Sequence, residues 1–487
     1  SKGEIAFLSE KLMSKGVPVP KILVKDHKKP DTDGHYPTRF VCPAANFTAG
    51  FPKMGYKGIE KIFKDNGVIF GTRNINQASD LKSKLESLGL TTTNTTIASI
   101  DAEAMYPSIK YSLIEKAVYY YAEGLDYKAM NSIQTCLEMI KFGMMNTILT
   151  FVNKYYLYDG DCPTEMKGLT IGGYESAWLA DLAMSYLLDK MGDETTLCSS
   201  NPLDDLTYFG IYCDDGIGIF KGQQSEQEIT SWLERFQAKI NDAAGNDCLK
   251  FTAVLWKPSN INYEETNIGN TIIARRDPRT SVITDPTFPF LDMELSWTTG
   301  GILSFGVHLK PNQQLKYLNN GSSHTDSCLK AITNSVCKRL TTLTTINGAN
   351  ENQRLDEAYP LHFDALAKAN LLRGAKAPTF AQVRKKLKEQ EEDEPTKDLI
   401  KRRERDRKRA LYFKMGYSKF WNKLPVHKIL KEERAKFPTL SWLRTSMCFR
   451  RHRNLREILQ GDLTHKVTAN VISLDFPNAH CNCRPGT

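Results

Sequence analysis

Asp214 and Asp215 stand side by side between two β-type runs, LTYFGIYC before them and GIGIF after them. Two adjacent carboxylates repel each other unless a cation lies between or beside them. Hard divalent ions, Mg2+ above all, prefer oxygen ligands and would supply that charge. Aromatic and β-branched residues flanking a two-residue turn read as a hairpin, which carries both acids to its tip. A plain Asp-Gly turn has the same residues and no chemistry. A third acid, Asp101, falls at the C-terminal end of the strand-like run TIASI. A carboxylate at a strand end, next to a loop, is well placed to ligate metal beside such a hairpin.

The elements that must position these acids can be read along the chain. Lys21, Lys25, His27, Lys28 and Lys29 cluster on an extended run, and the loop DTDGHYP returns to a second strand carrying Arg39. Two basic strands can clasp a triphosphate, Lys as a mobile point charge and Arg as a bidentate fork. An ordinary hairpin with solvent-facing bases is the alternative. GIEKIFKDNG and NINQASDLKSKLESLGL have helical spacing, the second ended by Gly89. Pro107 is suited to open a helix over SIKYSLIEKAVYYYAEGL. AMNSIQTCLEMIKFGMMNTIL reads as a core helix, and TFVNKYYLYDGDCP as a hairpin turning at Asp159-Gly160.

Gly168, Gly172 and Gly173 lead a loop into the apolar helix SAWLADLAMSYLL. Small residues there would let a base pair approach the backbone closely, or simply make a flexible loop before a core helix. SEQEITSWLERFQAKINDAAG is an amphipathic helix ending at Gly245, and CLKFTAVLW is a strand bearing Lys250. PFLDMELSW and GGILSFGVHLKP read as a second hairpin. From His324 onward the chain reads as largely helical, through an acidic EEDEP break into LIKRRERDRKRALYFKMGY.

The 487 residues, 41% of them hydrophobic, are enough for two or three subdomains sharing a cleft. Net charge is +9, unevenly spread: residues 381–460 hold 24 Lys/Arg and 11 Asp/Glu, so +13, leaving −4 for the rest. That balance suggests a polyanion-binding part beside a metal-binding part, with a solvated helical face as the plainer reading. Eleven scattered cysteines read as reduced thiols of an intracellular protein. There is no apolar run of membrane-spanning length and no secretory signal pattern. A chain running from Ser1 to Thr487 without an initiating Met is read as a fragment or a processed product.

Taken in order, these motifs resemble those of a reverse transcriptase, most closely the Penelope-like retroelement enzymes related to telomerase. The resemblance covers about residues 21–463. PKILVKDHKK and PTRFVCPAANF look like fingers motifs, IDAEAMYPSI like the first palm carboxylate motif, and GLTIGGYESAWLADL like the glycine/serine template-contact motif. YCDD looks like the catalytic box, LKFT like the next palm strand and FLDMEL like the primer grip. HLKPNQQLKYLNNGSSH and FRRHRNLREIL resemble stretches that follow in Penelope-like enzymes. Two positions depart from the pattern: Ala177 stands where proline is common, and Ile171 where a polar residue or Met is usual. No GIY-YIG nuclease pattern follows, and His480, Cys481 and Cys483 could be half of a zinc site, though a lone Cys-x-Cys is a weak signal.

The resemblance implies an α+β right-hand polymerase: fingers over 1–95, an antiparallel-sheet palm with intervening helical segments over 96–320, a helical thumb with a basic template-binding extension over 321–475, and a tail at 476–487. It implies an RNA-directed DNA polymerase acting on an RNA template, a DNA or RNA primer and dNTPs. Asp101 and Asp214, assisted by Asp215, would hold two Mg2+ ions, with Mn2+ as a substitute. Lys25 and Arg39 would grip phosphates, Lys250 would face pyrophosphate, and Gly172 would face the nucleotide. Tyr106 is the steric gate against a ribose 2′-hydroxyl, or else a core tyrosine before a proline. Ser176, Tyr212, Phe290 and Leu291 would meet template and primer, and Arg450, Arg451 and Arg453 would track phosphates. The basic run 401–409 could do the same or serve as a nuclear localisation signal. The rivals are an RNA-dependent RNA polymerase, against which Tyr106 argues, a family B DNA polymerase, and a catalytically inactive palm that scaffolds RNA.

Overall fold

The runs KILV and TRFV pair antiparallel as β1 (Lys21–Val24) and β2 (Thr38–Val41). In this computed structural model the described residues are 19–24, 34–36, 38–42, 47–151, 154–157, 168–192, 201–245, 249–257, 279–310, 314–322, 324, 326–372, 376–392, 410–416, 429, 432, 436 and 444–450. The chain forms two units, Ser1–Gln313 with Thr342–Thr345, and Gln314–Thr341 with Ile346–Thr487.

In the first unit, α1 (Gly50–Asp65) buries Pro52, Gly55, Ile59 and Phe63 on one face. Next come α2 (Ala78–Ser87), with Leu81 and Leu85 buried, and β3 (Thr95–Glu103). The single turn α3 (Met105–Ser108) precedes α4 (Tyr111–Tyr121) and α5 (Tyr127–Met145). Pro107 therefore lies inside α3 and does not open α4, because Ile109 and Lys110 are extended between them. Asp126 caps α5 by accepting from the Ala129 amide. α1 and α5 approach closely through small residues: a Cβ on Gly55 would come 2.5 Å from the Cys136 carbonyl oxygen, and one on Gly143 would strike the Pro52 ring.

β4 (Ile148–Phe151) and β5 (Lys154–Leu157) close their hairpin between Phe151 and Lys154. The expected turn at Asp159-Gly160 lies outside the described residues. α6 (Ser176–Gly192) is buried nearly all round, as befits an apolar central helix. β6 (Leu206–Tyr212) and β7 (Asp215–Lys221) form the central hairpin. α7 (Glu226–Ala244) starts at a Ser225/Glu228 capping box and ends at left-handed Gly245, both local signals present in the sequence.

β8 (Lys250–Trp256) and β9 (Thr280–Ile283) complete a five-stranded sheet of order β6-β7-β3-β8-β9. Its first four strands are antiparallel, but β9 runs parallel to β8, so the sheet is mixed and not wholly antiparallel as expected. A parallel partner needs a long crossover, and the chain between Trp256 and Thr280 is long enough to make one. The stretch expected as a second hairpin is a three-stranded meander, β10 (Thr287–Phe290), β11 (Met293–Trp297) and β12 (Leu303–Val307).

The core lies on one face of the five-stranded sheet. Ala98, Ile100 and Ala102 of β3 and Phe251, Ala253 and Leu255 of β8 share a single buried cluster with Leu179, Leu187, Leu233, Phe236 and Ile240 of α6 and α7. Burying each large apolar side chain stabilises by roughly 1.5–3 kcal/mol. Period-two alternation then turns Ser99, Asp101 and Glu103 to the opposite face.

The second unit holds nearly all of α8 (Asp326–Leu343), then α9 (Leu355–Ala358), α10 (Pro360–Lys368) and α11 (Phe380–Glu392). It also holds two parallel-paired strands, β13 (Ala410–Gly416) and β14 (Arg444–Arg450). ALYFKMG was expected as helix. Its Leu411, Phe413 and Met415 alternate with Tyr412 and Lys414, a strand period, and its aromatic residues favour strand. No helix among the described residues is long and apolar enough to cross a membrane.

Candidate functional site

Register brings the acids together. Tyr212 pairs with Asp215, Asp215 with Asp101, and Asp101 with Thr252, so these four residues form one row across β6, β7, β3 and β8. Directly opposed residues point to the same face of a sheet, here the face away from the core. Exposure rises along β3 on this face, from buried Ile97 through half-buried Ser99 and Asp101 to exposed Glu103. The buried end is covered by the meander, whose Phe288 and Trp297 both stack on Trp256 with ring centroids 5.6 Å away.

Two strained backbone positions bracket the acids. Cys213, in the two-residue turn before Asp214, has φ +53°, and Ala104, just past β3, has φ +48°. A residue with a Cβ pays about 1–2 kcal/mol to sit there. The turn is held by the Ala102 amide donating to the Asp214 carbonyl at 3.0 Å. From the other side, Ile211 donates to the Arg73 carbonyl (3.0 Å) and accepts from the Ile75 amide (2.7 Å). The kink at Ala104 turns the chain back, so that Tyr106 lies beside Cys213 at the hairpin tip.

Burial, reinforced by the fields of Cys213, Asp181 and Asp214, holds the Tyr106 phenol far above its ordinary range. Burial first, and then Asp181, Asp214 and Asp215, push the Cys213 thiol up to about 11, although the Tyr106 hydroxyl opposes them. Asp181 on α6 is thus a fourth acid beside the hairpin tip, and its own burial raises its carboxyl to about 6. Sequence reasoning passed over it. The available signal was an acid set inside the apolar run SAWLADLAMSYLL.

The glycine loop is clamped between two other motifs. The Leu169 amide donates to the Tyr106 carbonyl at 2.8 Å, and a Cβ on Gly168 would lie 1.8 Å from the Pro107 oxygen. On the far side the Cys42 amide donates to the Ile171 carbonyl at 2.8 Å. Gly172 has φ +107°, and a Cβ there would lie 2.4 Å from the Cys42 oxygen. Both glycines are therefore required by the protein's own backbone, whatever else approaches them.

Ser176 is 1% exposed, and its hydroxyl has no hydrogen-bond partner among the described residues. Glu175 is buried, and burial raises its carboxyl although the neighbouring Tyr174 and Glu175 backbone lowers it. Gly172 and Tyr174 are the exposed members of the loop, and Lys53 Nζ stands 4.6 Å from the Tyr174 ring centroid.

Lys250 opens β8 opposite Glu103, one row beyond Asp101 on the same face. Phe290 is buried and Leu291 has φ +53°, in the two-residue turn closed by the Phe290–Met293 pair. Arg39 pairs with Leu23 in the β1–β2 hairpin, and Arg450 pairs with Gly416 at the end of β14. Lys25, Arg451, Arg453, the basic run 401–409 and His480, Cys481 and Cys483 lie outside the described residues.

No group of three or more His, Cys, Asp or Glu side chains among the described residues is arranged to hold a metal ion. The donors on the row are two carboxylates, Asp101 and Asp215, with Asp214 next to them in the turn. That suits Mg2+, which is commonly bound by one or two carboxylates together with water and substrate phosphates.

No protein-family model matches the chain, and no curated protein matches it. Among solved structures, telomerase from Candida albicans, in complex with a TWJ fragment of telomeric RNA, is 11% identical, with a TM-score of 0.36 over 66% of this chain and 46% of that one. Apo telomerase from Candida tropicalis is 11% identical, with a TM-score of 0.37 over 70% and 56%. The BmCPV RNA-dependent RNA polymerase at its quiescent state is 12% identical, with a TM-score of 0.37 over 74% and 27%. The chain spans less than two thirds of the length of each.

Proposed function

We propose that the chain is a template-directed nucleotidyltransferase, a reverse transcriptase of the Penelope-like, telomerase-related kind. The observation that carries this reading is the row Tyr212–Asp215–Asp101, with Tyr106 folded back onto the same hairpin tip. Asp101 and Asp214, assisted by Asp215, would hold Mg2+ (or Mn2+). The ions, when bound, would favour deprotonation of the primer 3′-hydroxyl and neutralise the triphosphate. The protein's own part is positioning. Lys25 and Arg39 would take the phosphates, Tyr106 would fill the space of a ribose 2′-hydroxyl, and Lys250 would face the leaving pyrophosphate. Gly172 lies toward the nucleotide in this reading, while Tyr212 and Leu291, with Arg450, Arg451 and Arg453, serve primer and template; Ser176 and Phe290 are buried, so their side chains would shape the loops that meet the strand and not touch it.

A second reading, RNA-dependent RNA synthesis, draws on Asp181. A carboxylate beside Tyr106 could accept from a 2′-hydroxyl that a dNTP lacks. Mg2+-dependent primer extension on matched RNA and DNA templates, with dNTPs or rNTPs supplied separately, decides between the two. Extension on RNA with dNTPs, lost in Asp214→Ala, is the expected result. Extension with rNTPs alone would favour the second reading, and extension that survives Asp214→Ala would overturn the acid assignment.

A further inference from the structure

Ala177, Asp181 and Ser185 stand four residues apart on one face of α6. Along that line Ala177 is exposed, Asp181 half-buried and Ser185 buried. The buried end is fixed: Ser185 Oγ lies 3.4 Å from Asn74 Oδ1, and Asn74 pairs with Ile211 of β6. One turn back along α6, about 5.4 Å, comes Asp181, and two residues on from Ile211, about 6.6 Å, comes Cys213. The two meet there, since the Asp181 charge acts on both the Cys213 thiol and the Tyr106 phenol. Asp181 therefore lies on the stretch of α6 that joins the exposed glycine loop to the hairpin tip, where the surface closes.

Its carboxylate is unpaired and still open. It makes no hydrogen bond or ion pair among the described residues, yet its oxygens are not shut off from solvent. Partial loss of water pushes the carboxyl up to about 6. A carboxylate that gives up water without gaining a donor is destabilised, so a ligand that brings a donor is favoured.

An ionised carboxylate only accepts hydrogen bonds, so the group facing it is a donor and not a phosphate. A hard divalent ion is not favoured here, because the adjoining thiol and phenol are poor ligands for it. A template-directed site takes four different bases, so one fixed acceptor beside it can read only what all nucleotides share. That is the sugar. In the reading above Tyr106 fills the space of the 2′-hydroxyl, which leaves the 3′-hydroxyl for Asp181.

We propose that Asp181 is a specificity-determining residue of the nucleotidyl-transfer site, accepting a hydrogen bond from the 3′-hydroxyl of the incoming nucleotide. A nucleotide that lacks this hydroxyl leaves the carboxylate bare and is rejected, which also guards the product, whose next extension needs that hydroxyl. The inference rests on the polymerase reading and names the substrate group read at the same site.

Single-nucleotide extension by the full chain opposite a template uridine tests it, at about pH 8, where the carboxyl is ionised. The substrates are dATP, 2′,3′-dideoxy-ATP and ATP, each read as kcat/KM. The unmodified chain should prefer dATP to dideoxy-ATP at least about a hundredfold, and a preference below about tenfold would overturn the proposal without any variant. Asp181→Leu, which has no acceptor, should lower that preference at least about tenfold. Asp181→Asn, which keeps an acceptor oxygen, should hold it within about threefold of the unmodified chain. The same preference in Asp181→Leu as in the unmodified chain, whether or not the overall rate falls, would make the residue structural and overturn the proposal. So would a dATP/ATP ratio that moves in Asp181→Leu while the dATP/dideoxy-ATP ratio stays, which would give the carboxylate to the 2′-hydroxyl. Extension that depends on Asp214, with unmoved dideoxy selectivity, removes the Asp181 assignment alone. No Asp214-dependent extension by the unmodified chain removes the polymerase reading and this inference with it.

Discussion

Asp101→Asn should make the protein more stable and less active at once. Asp101 and Asp215 are cross-strand partners, so their Cβ atoms stand about 4.5–5.5 Å apart. Two like charges about 5 Å apart repel by roughly 0.8 kcal/mol in water-like surroundings and about 3 kcal/mol at an effective dielectric of 20. Asp215 is exposed, Asp101 is half-buried and each has a further interaction, which places the net repulsion at the low end, at most about 1 kcal/mol. Asparagine keeps the shape and removes the charge. With a melting entropy of about 2.1 cal/mol/K per residue, 1 kcal/mol in a unit of this size raises Tm by about 1–2 °C, measurable by scanning calorimetry in EDTA. Mg2+ should reverse the order. An ion that binds only the native state stabilises by about 1.4 kcal/mol at ten times its Kd, and the unmodified protein would gain more of this than the variant. Primer extension should fall at least about a hundredfold. A variant less stable than the unmodified protein in EDTA, with unchanged far-UV circular dichroism, would refute the repulsion argument. Equal Mg2+ stabilisation of both proteins would refute the pair as metal donors.

Tyr106→Ala should shift single-nucleotide incorporation toward rNTPs by about 10–100-fold, whereas Tyr106→Phe, which loses only the hydroxyl, should keep sugar selectivity; equal selectivity in all three proteins counts against the gate. In urea titrations Gly168→Ala should lose about 2–4 kcal/mol from overpacking against Pro107 and a broken Leu169 bond. Gly222→Ala, at φ +77° with open space around it, should lose only about 1 kcal/mol of conformational strain. Asp181, raised from 3.8 to about 6, binds its proton more tightly when folded. Its contribution is therefore fully present below pH 3.8 and lost as pH rises through about 6. Asp181→Asn should accordingly stabilise by about 2–3 kcal/mol at pH 8 and by only about 0.5 kcal/mol at pH 4, read from urea midpoints at the two pH values.

Local features were legible in the sequence because local residues cause them. The hairpin around Asp214 and Asp215 follows from β-type runs flanking a two-residue turn, although the turn is Cys213-Asp214, one residue earlier than the runs suggest, and Asp215 belongs to β7; α7 follows from its capping box and terminal Gly245. Where one signal competed with another, the reading slipped. Pro107 suited a long helix start, but the extended Ile109 and Lys110 cut α3 off from α4. ALYFKMG followed a basic helical-looking run, yet its own alternation and aromatic residues made it a strand.

The sequence alone supplied the chemical types: three acids, a tyrosine five positions after the first of them, a glycine-rich loop and a basic C-terminal third. Tertiary structure decided which of these meet. Asp101 faces Asp215 because the apolar residues of β3, β7 and β8 share one core, and that shared burial sets the register far along the chain. The same packing turned Asp181 toward the hairpin tip and spent the glycines on contacts with Pro107 and Cys42. Spacing along a chain fixes which face of its own element a residue occupies. Which elements are neighbours depends on burying apolar faces together, and only the folded chain does that.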